Sequence, residues 1–546
     1  MKIKIKAVVF ALLAQTVLIL DSFAGHTLSI SMHNGEKWWG GANSHGSKMP
    51  FDKNTSLVID LCKDGGANQY ASLLLSDRGR AIWCDSQTTI AFDKGKITVK
   101  SASAKVEMID ATGNLRDAFR KASAAWFPAS GKTPDLLFFS APQYNTWIEL
   151  TYNQNENDIL RYAQSMLDNG LPPGVLMIDD TWQAGYGDWR FEPSRFKDPK
   201  GMIDKLHEKG FKVVLWMCPW VSMDIPAFRR IAWGINPNDV RGFPTKGGFL
   251  MNKGEIAAVR WWNGYSALLD FTHPNAQAWF KEQLDGLVKD YGVDGFKFDG
   301  GELEFYSRGY TAFDKNASSG DQVMSYARFC LDYPVCEYRN AWRFQGQPVV
   351  ERLHDKGHRW SELQRLVPDM IAGGLLGHPF ICPDMIGGGS WMAFLPGAPF
   401  DPELFIRSAQ IHALCPMMQI SASPWRVLSK EHQRIFKQTV ELRQKFAPQF
   451  MELAKQSART GEPMMRNLEY NFPGMGYAGI KDQFMMGDDL LVAPVIEKGA
   501  KTRKVVLPPG KWHADDGRTY NGPAEIDVVT PLERLAHFVE TTGTDP

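Results

Sequence analysis

The sequence predicts an α/β protein: a (β/α)8 TIM barrel between an N-terminal β-sandwich domain and a small C-terminal β domain. Three observations carry this. Short alternating runs between Gly, Asn and Asp turn signals fill the chain from residue 25 to about 130. Apolar strand runs then alternate with helical runs over roughly 131–455. After about 456 strand runs return without long helices.

The chain has 546 residues, too many for one ordinary core, so two or three domains are expected. With 44% hydrophobic and 22% charged residues it reads as globular. Its 61 basic and 61 acidic residues cancel, so nothing steers it toward nucleic acid or an anionic membrane. The 18 Trp and 32 Phe suit a sugar binder, because apolar sugar faces stack on rings, and they equally suit a large core.

Residues 1–24 read as an export signal. Lys2, Lys4 and Lys6 precede the apolar run Ala7–Leu20, and Ser22-Phe-Ala24 resembles a cleavage site. The expected location is periplasmic or secreted, with no stable membrane insertion once the signal is removed. Seven cysteines show no Cys-x-x-Cys or Cys/His spacing, so no metal site is expected. Cys62 and Cys84 are candidates for a bridge, which sequence cannot decide.

In the leading domain, Ser56–Leu61 and Lys96–Lys100 alternate as strands do. In the barrel, Leu136–Phe139 is the expected first strand, Asn155–Asp168 a helix and Gly174–Asp179 the next strand. Asp198-Pro opens a helix leading to the strand Lys212–Met217. Pro274–Tyr291 is a helix feeding the strand that ends at Asp299, and Ser429–Phe446 is the last helical stretch. Leu490–Pro494, Arg503–Leu507 and His537–Glu540 are expected strands of the closing domain.

Several strands end on carboxylates. In Val293–Glu302, alternation sends Lys297 and Asp299 to one face and Phe296 and Phe298 to the other. In a barrel the first pair faces the C-terminal mouth, where chemistry is done. The nearby cation favours ionised Asp299, and Gly300 and Gly301 leave room for a ligand; the bland alternative is a structural Lys–Asp pair. Asp179 and Asp180 end a second strand and suit sugar hydroxyls, with a helix cap or a metal as alternatives. Trp216 ends a third strand, as a sugar platform or a core residue. Asp384 follows Pro379–Cys382 and precedes a glycine run without the phosphate-loop pattern. Asp355 lies in a polar loop.

Lys297-Phe-Asp-Gly-Gly-Glu302, Gly377–Gly388, Gln483–Val495 and Leu507-Pro-Pro-Gly-Lys-Trp512 together resemble glycoside hydrolase family 31, the retaining α-glycosidases, from about 134 to 540. Trp38–Gly41, Ile178–Trp182 and Tyr186–Phe191 are most similar to the branch of bacterial α-galactosidases and the myogenesis-regulating glycosidase. The resemblance implies Asp299 as nucleophile and, five residues before Trp360, Asp355 as acid/base. It implies Asp179, Asp180, Arg352 and Asp384 as hydroxyl ligands, Lys297 and Trp216 at the site, and Trp39 reaching it from the leading domain. No cofactor is implied. Gly-Gly-Glu after Asp299 and the absence of a histidine in Gln419–Trp425 depart from the α-glucosidases and favour a galactose-type sugar. The expected substrate is therefore an α-linked galactoside or related oligosaccharide. The rivals are another α-linked sugar (glucose, xylose, N-acetylgalactosamine or sulfoquinovose) and a non-catalytic sugar-binding protein. Asp355 needs a raised pKa to act as the acid, and burial is the expected cause.

Overall fold

The computed structural model describes residues 26–62, 68–233 and 247–541, and the segment read as an export signal lies outside them. Among the described residues, no helix is long and apolar enough to cross a membrane.

Two four-stranded antiparallel sheets form the leading region. The first contains Leu57–Asp60 and Lys96–Ser101, and the second begins with Trp38–Ala42. A helix, Leu115–Trp126, follows them, opened by a reciprocal Asn114–Asp117 capping box.

Eight parallel strands make the barrel: β1 Gln143–Asn145, β2 Val175–Ile178, β3 Lys212–Met217, β4 Gly295–Phe298, β5 Val335–Tyr338, β6 Val350–Arg352, β7 Ile381–Cys382 and β8 Gln419–Ile420. Each pairs with the next in chain order as far as β7, and β8 pairs back onto β1. The β7–β8 seam is held by one bridge, Met385 to Gln419.

The first expected strand is a correction. Leu137–Ser140 is a short helix, and the Asp135 carboxylate just before it accepts the Leu137 amide at 2.9 Å. Four apolar residues carry too little periodicity to separate strand from helix. The helix Pro274–Tyr291 has the expected bounds, with Pro at its first position and Gly292 at φ 79° closing it. The last barrel helix runs Lys430–Thr460, past the expected end at Phe446 and past 455. It passes through Pro448, which forfeits one amide donor without ending the helix, and stops at Gly461.

Phe296 and Phe298 point outward from β4 and are fully buried. Phe298 meets Tyr326 at 5.6 Å and Phe296 meets Tyr333 at 4.9 Å between ring centroids. Each such burial contributes roughly 1.5–3 kcal/mol, and this fixes the register that turns Lys297 and Asp299 inward. The closing domain is a six-stranded antiparallel sheet containing Leu490–Ala493, Ala536–Glu540 and the long hairpin Thr502–Ala514 with Thr519–Val529. Cys62 is exposed. Cys84 is buried with Sγ 3.7 Å from the Ala104 carbonyl, so the two are not joined.

Candidate active site

The C-terminal ends of the barrel strands surround a cavity of about 380 Å³. Asp299, one residue past β4, is anchored by its amide, which donates to the Met217 carbonyl at the end of β3 (2.9 Å). Its Oδ1 accepts from Arg352 Nη2 at 2.9 Å and Arg339 Nη1 at 3.0 Å, and its Oδ2 accepts from Trp216 Nε1 at 2.8 Å. Asp355, after β6, accepts from Arg352 Nη1 at 2.8 Å and Arg339 Nη1 at 3.5 Å. One nitrogen of Arg339 thus touches both carboxylates, which places their oxygens no more than about 6.5 Å apart. Side-chain exposure differs: 10% for Asp299 and 45% for Asp355, so Asp355 lies on the open side.

Burial pushes both carboxyls up, but Arg339, Arg352 and Lys297 outweigh it at Asp299 and hold it well below the usual carboxylate range. Arg352 and Arg339 do the same at Asp355. This corrects the expectation of a raised Asp355: in the free site the guanidiniums win over desolvation. Lys297 helps hold Asp299 ionised, as expected, while its Nζ bonds Asp179 Oδ2 at 2.6 Å, a contact that keeps the buried ammonium charged.

Asp180 accepts from Gln183 Nε2 (3.1 Å), the Tyr186 hydroxyl (3.1 Å) and Asn263 Nδ2 (2.9 Å). Burial pushes it up to about 6. Beneath the cavity, Glu337 on β5 accepts from Gln419 Nε2 at 2.8 Å, and burial raises it to about 7.

The sequence-derived residues Asp179, Asp180, Trp216, Lys297, Asp299, Arg352 and Asp355 all line the cavity. Asp384 does not: it is fully buried, 3.5 Å from Arg352 Nη1, at φ 69°. There it meets the cavity lining at Arg352. Trp39 is also elsewhere. It is buried in strand Trp38–Ala42, beside Pro368 of the helix Trp360–Leu375, because the leading sheet packs on that helix and not over the mouth. Gly300 and Gly301 leave no room for a ligand. A Cβ would stand 2.1 Å from the Trp220 ring at Gly300 and 2.9 Å from Tyr326 at Gly301, and both φ values are positive.

Sequence reading missed Arg339, Gln69, Trp262 and Asn263. Gln69 reaches in from the leading domain, and its Nε2 donates to the carbonyls of Arg339 (3.1 Å) and Arg352 (2.8 Å). Arg339 follows β5 immediately, as the other site residues follow their strands, and that spacing was the available signal. Among the described residues, no group of three or more His, Cys, Asp or Glu is placed to hold a metal ion.

A parallel barrel with paired carboxylates at its C-terminal mouth has the arrangement of a barrel glycoside hydrolase. Residues 141–453 match the glycosyl hydrolases family 31 TIM-barrel domain and residues 461–542 the C-terminal domain of the same family. The chain belongs to glycosyl hydrolase family 31. It is 32% identical over 426 residues to the myogenesis-regulating glycosidase of Mus musculus, covering 76% of this chain and 58% of that protein. It is 24% identical over 537 residues to the α-xylosidase XylQ of Lactiplantibacillus pentosus, covering 88% of this chain and 64% of that one. The chain thus spans less than two thirds of the length of these relatives. Among solved structures, a GH31 α-xylosidase from a soil metagenome complexed with xylose superposes with a TM-score of 0.78 at 21% identity, covering 95% of this chain and 79% of that one. The Flavobacterium johnsoniae GH31 dextranase complexed with glucose gives 0.78 at 18% identity, covering 95% and 67%. At such identities the likeness shows the fold.

Proposed function

We propose that the protein is a retaining, exo-acting α-glycosidase, with Asp299 as nucleophile, Asp355 as acid/base and a terminal α-galactoside as substrate. The observation that carries the chemistry is Arg339 Nη1, in reach of both carboxylates across one cavity. Their spacing, at most about 6.5 Å between oxygens, suits a double displacement, for which about 5–5.5 Å is usual, and reaches only the lower edge of the inverting range.

Asp299 attacks the anomeric carbon as the bond to the leaving oxygen breaks, and Asp355 gives that oxygen its proton. Water then attacks the glycosyl–Asp299 ester while Asp355 takes the proton back. The cations that hold Asp299 ionised keep it ready to attack. A sugar seated between Asp355 and Arg339 lengthens their 3.5 Å contact and dehydrates Asp355, which raises its pKa and lets it carry the proton. Asp179, Asp180 and Arg352 hold the hydroxyls of the terminal sugar, and Trp216 supplies an apolar wall.

The galactose reading is supported by Gly-Gly-Glu after Asp299 and by a cavity lining without histidine. A second reading, a gluco- or xylo-configured sugar, is favoured by the α-xylosidase and isomaltosidase names among the relatives. Hydrolysis of p-nitrophenyl α-galactoside, α-glucoside and α-xyloside by wild type and Asp299→Asn decides. Galactoside cleavage lost in the variant supports the proposal, and cleavage of another sugar keeps the mechanism and replaces the substrate. Silence on all of them moves the weight to a sugar-binding protein without turnover.

A further inference from the structure

Asp355 is bonded through its side chain to Arg352 and Arg339 and is otherwise open, so its placement rests on the backbone of the loop after β6. That loop is stitched to the loop after β7. The Ser390 amide donates to the Lys356 carbonyl at 3.2 Å, and Lys356 Nζ donates to the Pro383 carbonyl at 2.8 Å. Glycine permits so close an approach. A Cβ would stand 2.5 Å from the Lys356 carbonyl oxygen at Gly388 and 3.2 Å from Asp355 Cβ at Gly389.

His358, three residues past Asp355, joins these loops with both ring nitrogens. Its Nε2 accepts the Asp401 amide at 3.0 Å and so carries no proton. The proton is then on Nδ1, which donates to the Gly387 carbonyl at 2.9 Å. The ring lies flat on Phe400, 4.9 Å between centroids, and meets Phe394 edge-on at 5.3 Å. Burial pulls its pKa below the usual 6.5 and favours the neutral ring. The charge facing the ring is the Asp401 carboxylate, itself engaged by Trp360 Nε1 at 3.0 Å and Lys498 Nζ at 2.8 Å. The other nearby cations are occupied: Lys356 by the His354 and Pro383 carbonyls, and Arg359 by Glu362 at 3.2 Å.

We infer that His358 is a positioning residue for the proton transfer: as a neutral imidazole it pins the loop after β6 to the loop after β7 and to the start of the helix Pro402–Leu414, and so holds Asp355 at the leaving oxygen. The inference rests on the role proposed for Asp355. Filling the space between Phe394 and Phe400 needs only an apolar ring, whereas His358 spends both polar atoms on backbone groups of two other segments. A misplacement of about 1 Å costs a catalytic group on the order of a hundredfold.

The test compares kcat/KM on two substrates of the sugar the wild type turns over: a disaccharide ending in it, whose leaving oxygen needs a proton, and its α-glycosyl fluoride, whose leaving group needs little help. His358→Phe keeps the ring and loses both bonds. It should lose about tenfold more on the disaccharide than on the fluoride. His358→Asn keeps a donor for the Gly387 carbonyl and should recover most of that selectivity. Equal loss on both substrates, or no loss, in folded His358→Phe overturns the inference, because the ring would then only fill space. If His358→Phe does not fold, His358→Gln, which keeps an acceptor for the Asp401 amide and drops the bond to Gly387, is judged by the same two outcomes. Asp355→Asn is measured beside them. Without leaving-group selectivity there, Asp355 is not the acid and both readings fall; with it there and absent from the His358 variants, only the role of His358 falls.

Discussion

Arg352 links Asp299 to Asp355: Nη2 donates to Asp299 Oδ1 at 2.9 Å and Nη1 to Asp355 Oδ1 at 2.8 Å. The guanidinium is 1% exposed and fixed from behind by Asp384, so two carboxylates from different strands are set by one rigid fork. Arg352→Met should lower kcat/KM by roughly a hundredfold or more. Removing the cation lets the depressed Asp299 and Asp355 rise toward the ordinary value of 3.8. Asp299 then protonates at a higher pH, so the acid limb of kcat/KM moves up. A limb that stays in place would show that Arg352 does not hold Asp299 ionised.

If Asp355 donates the proton, its absence matters most where the leaving group is poor. Asp355→Asn should lose about 10²–10⁴-fold on a glycoside with a basic leaving group and far less on the glycosyl fluoride. Parallel losses on the two would contradict the assignment.

The sequence showed the barrel wherever apolar runs were long enough to carry a period, as at Lys212–Met217 and Pro274–Tyr291. It failed at Leu137–Ser140, where four apolar residues carry too little periodicity to separate strand from helix. For the site, alternation along β4 turned Lys297 and Asp299 inward correctly, but which cation holds which acid depends on side chains from other strands. Lys297 lies two residues from Asp299 in sequence, yet bonds Asp179, 118 positions away. Trp39 was misplaced for the same reason: no local pattern says which face of the barrel the leading sheet covers.

Gln69 acts at a distance from the sugar. Its amide ties the carbonyls of Arg339 and Arg352, and Asn43 Nδ2 donates to its Oε1 at 2.6 Å. Gln69→Leu removes both donors and strands two buried carbonyls, at roughly 1–3 kcal/mol each. Lower thermal stability is expected, together with about a tenfold loss of kcat measured well below the melting temperature. Unchanged kcat in the folded variant would reduce Gln69 to a structural tie.

Glu337 gives a pH signature in stability. Its carboxyl titrates near 4.5 when unfolded and near 7 when folded, so the folded chain binds the extra proton between these values. That contribution is complete below about 4.5 and is lost as pH rises through 7. Glu337→Gln copies the protonated form, so the fall in thermal midpoint from pH 5 to pH 8 should be smaller in the variant than in wild type. An identical fall would show that Glu337 is ionised in the fold.

The central claim, that Asp299 bonds covalently to the sugar, is tested most directly by trapping the intermediate. A 5-fluoro-α-glycosyl fluoride of the preferred sugar forms the ester and slows its hydrolysis. Peptide mass spectrometry should then find one glycosyl group on the peptide containing Lys297-Phe-Asp299, and none in Asp299→Asn. An adduct on another carboxylate, or rapid turnover of a true substrate with inversion and no adduct, would contradict the account.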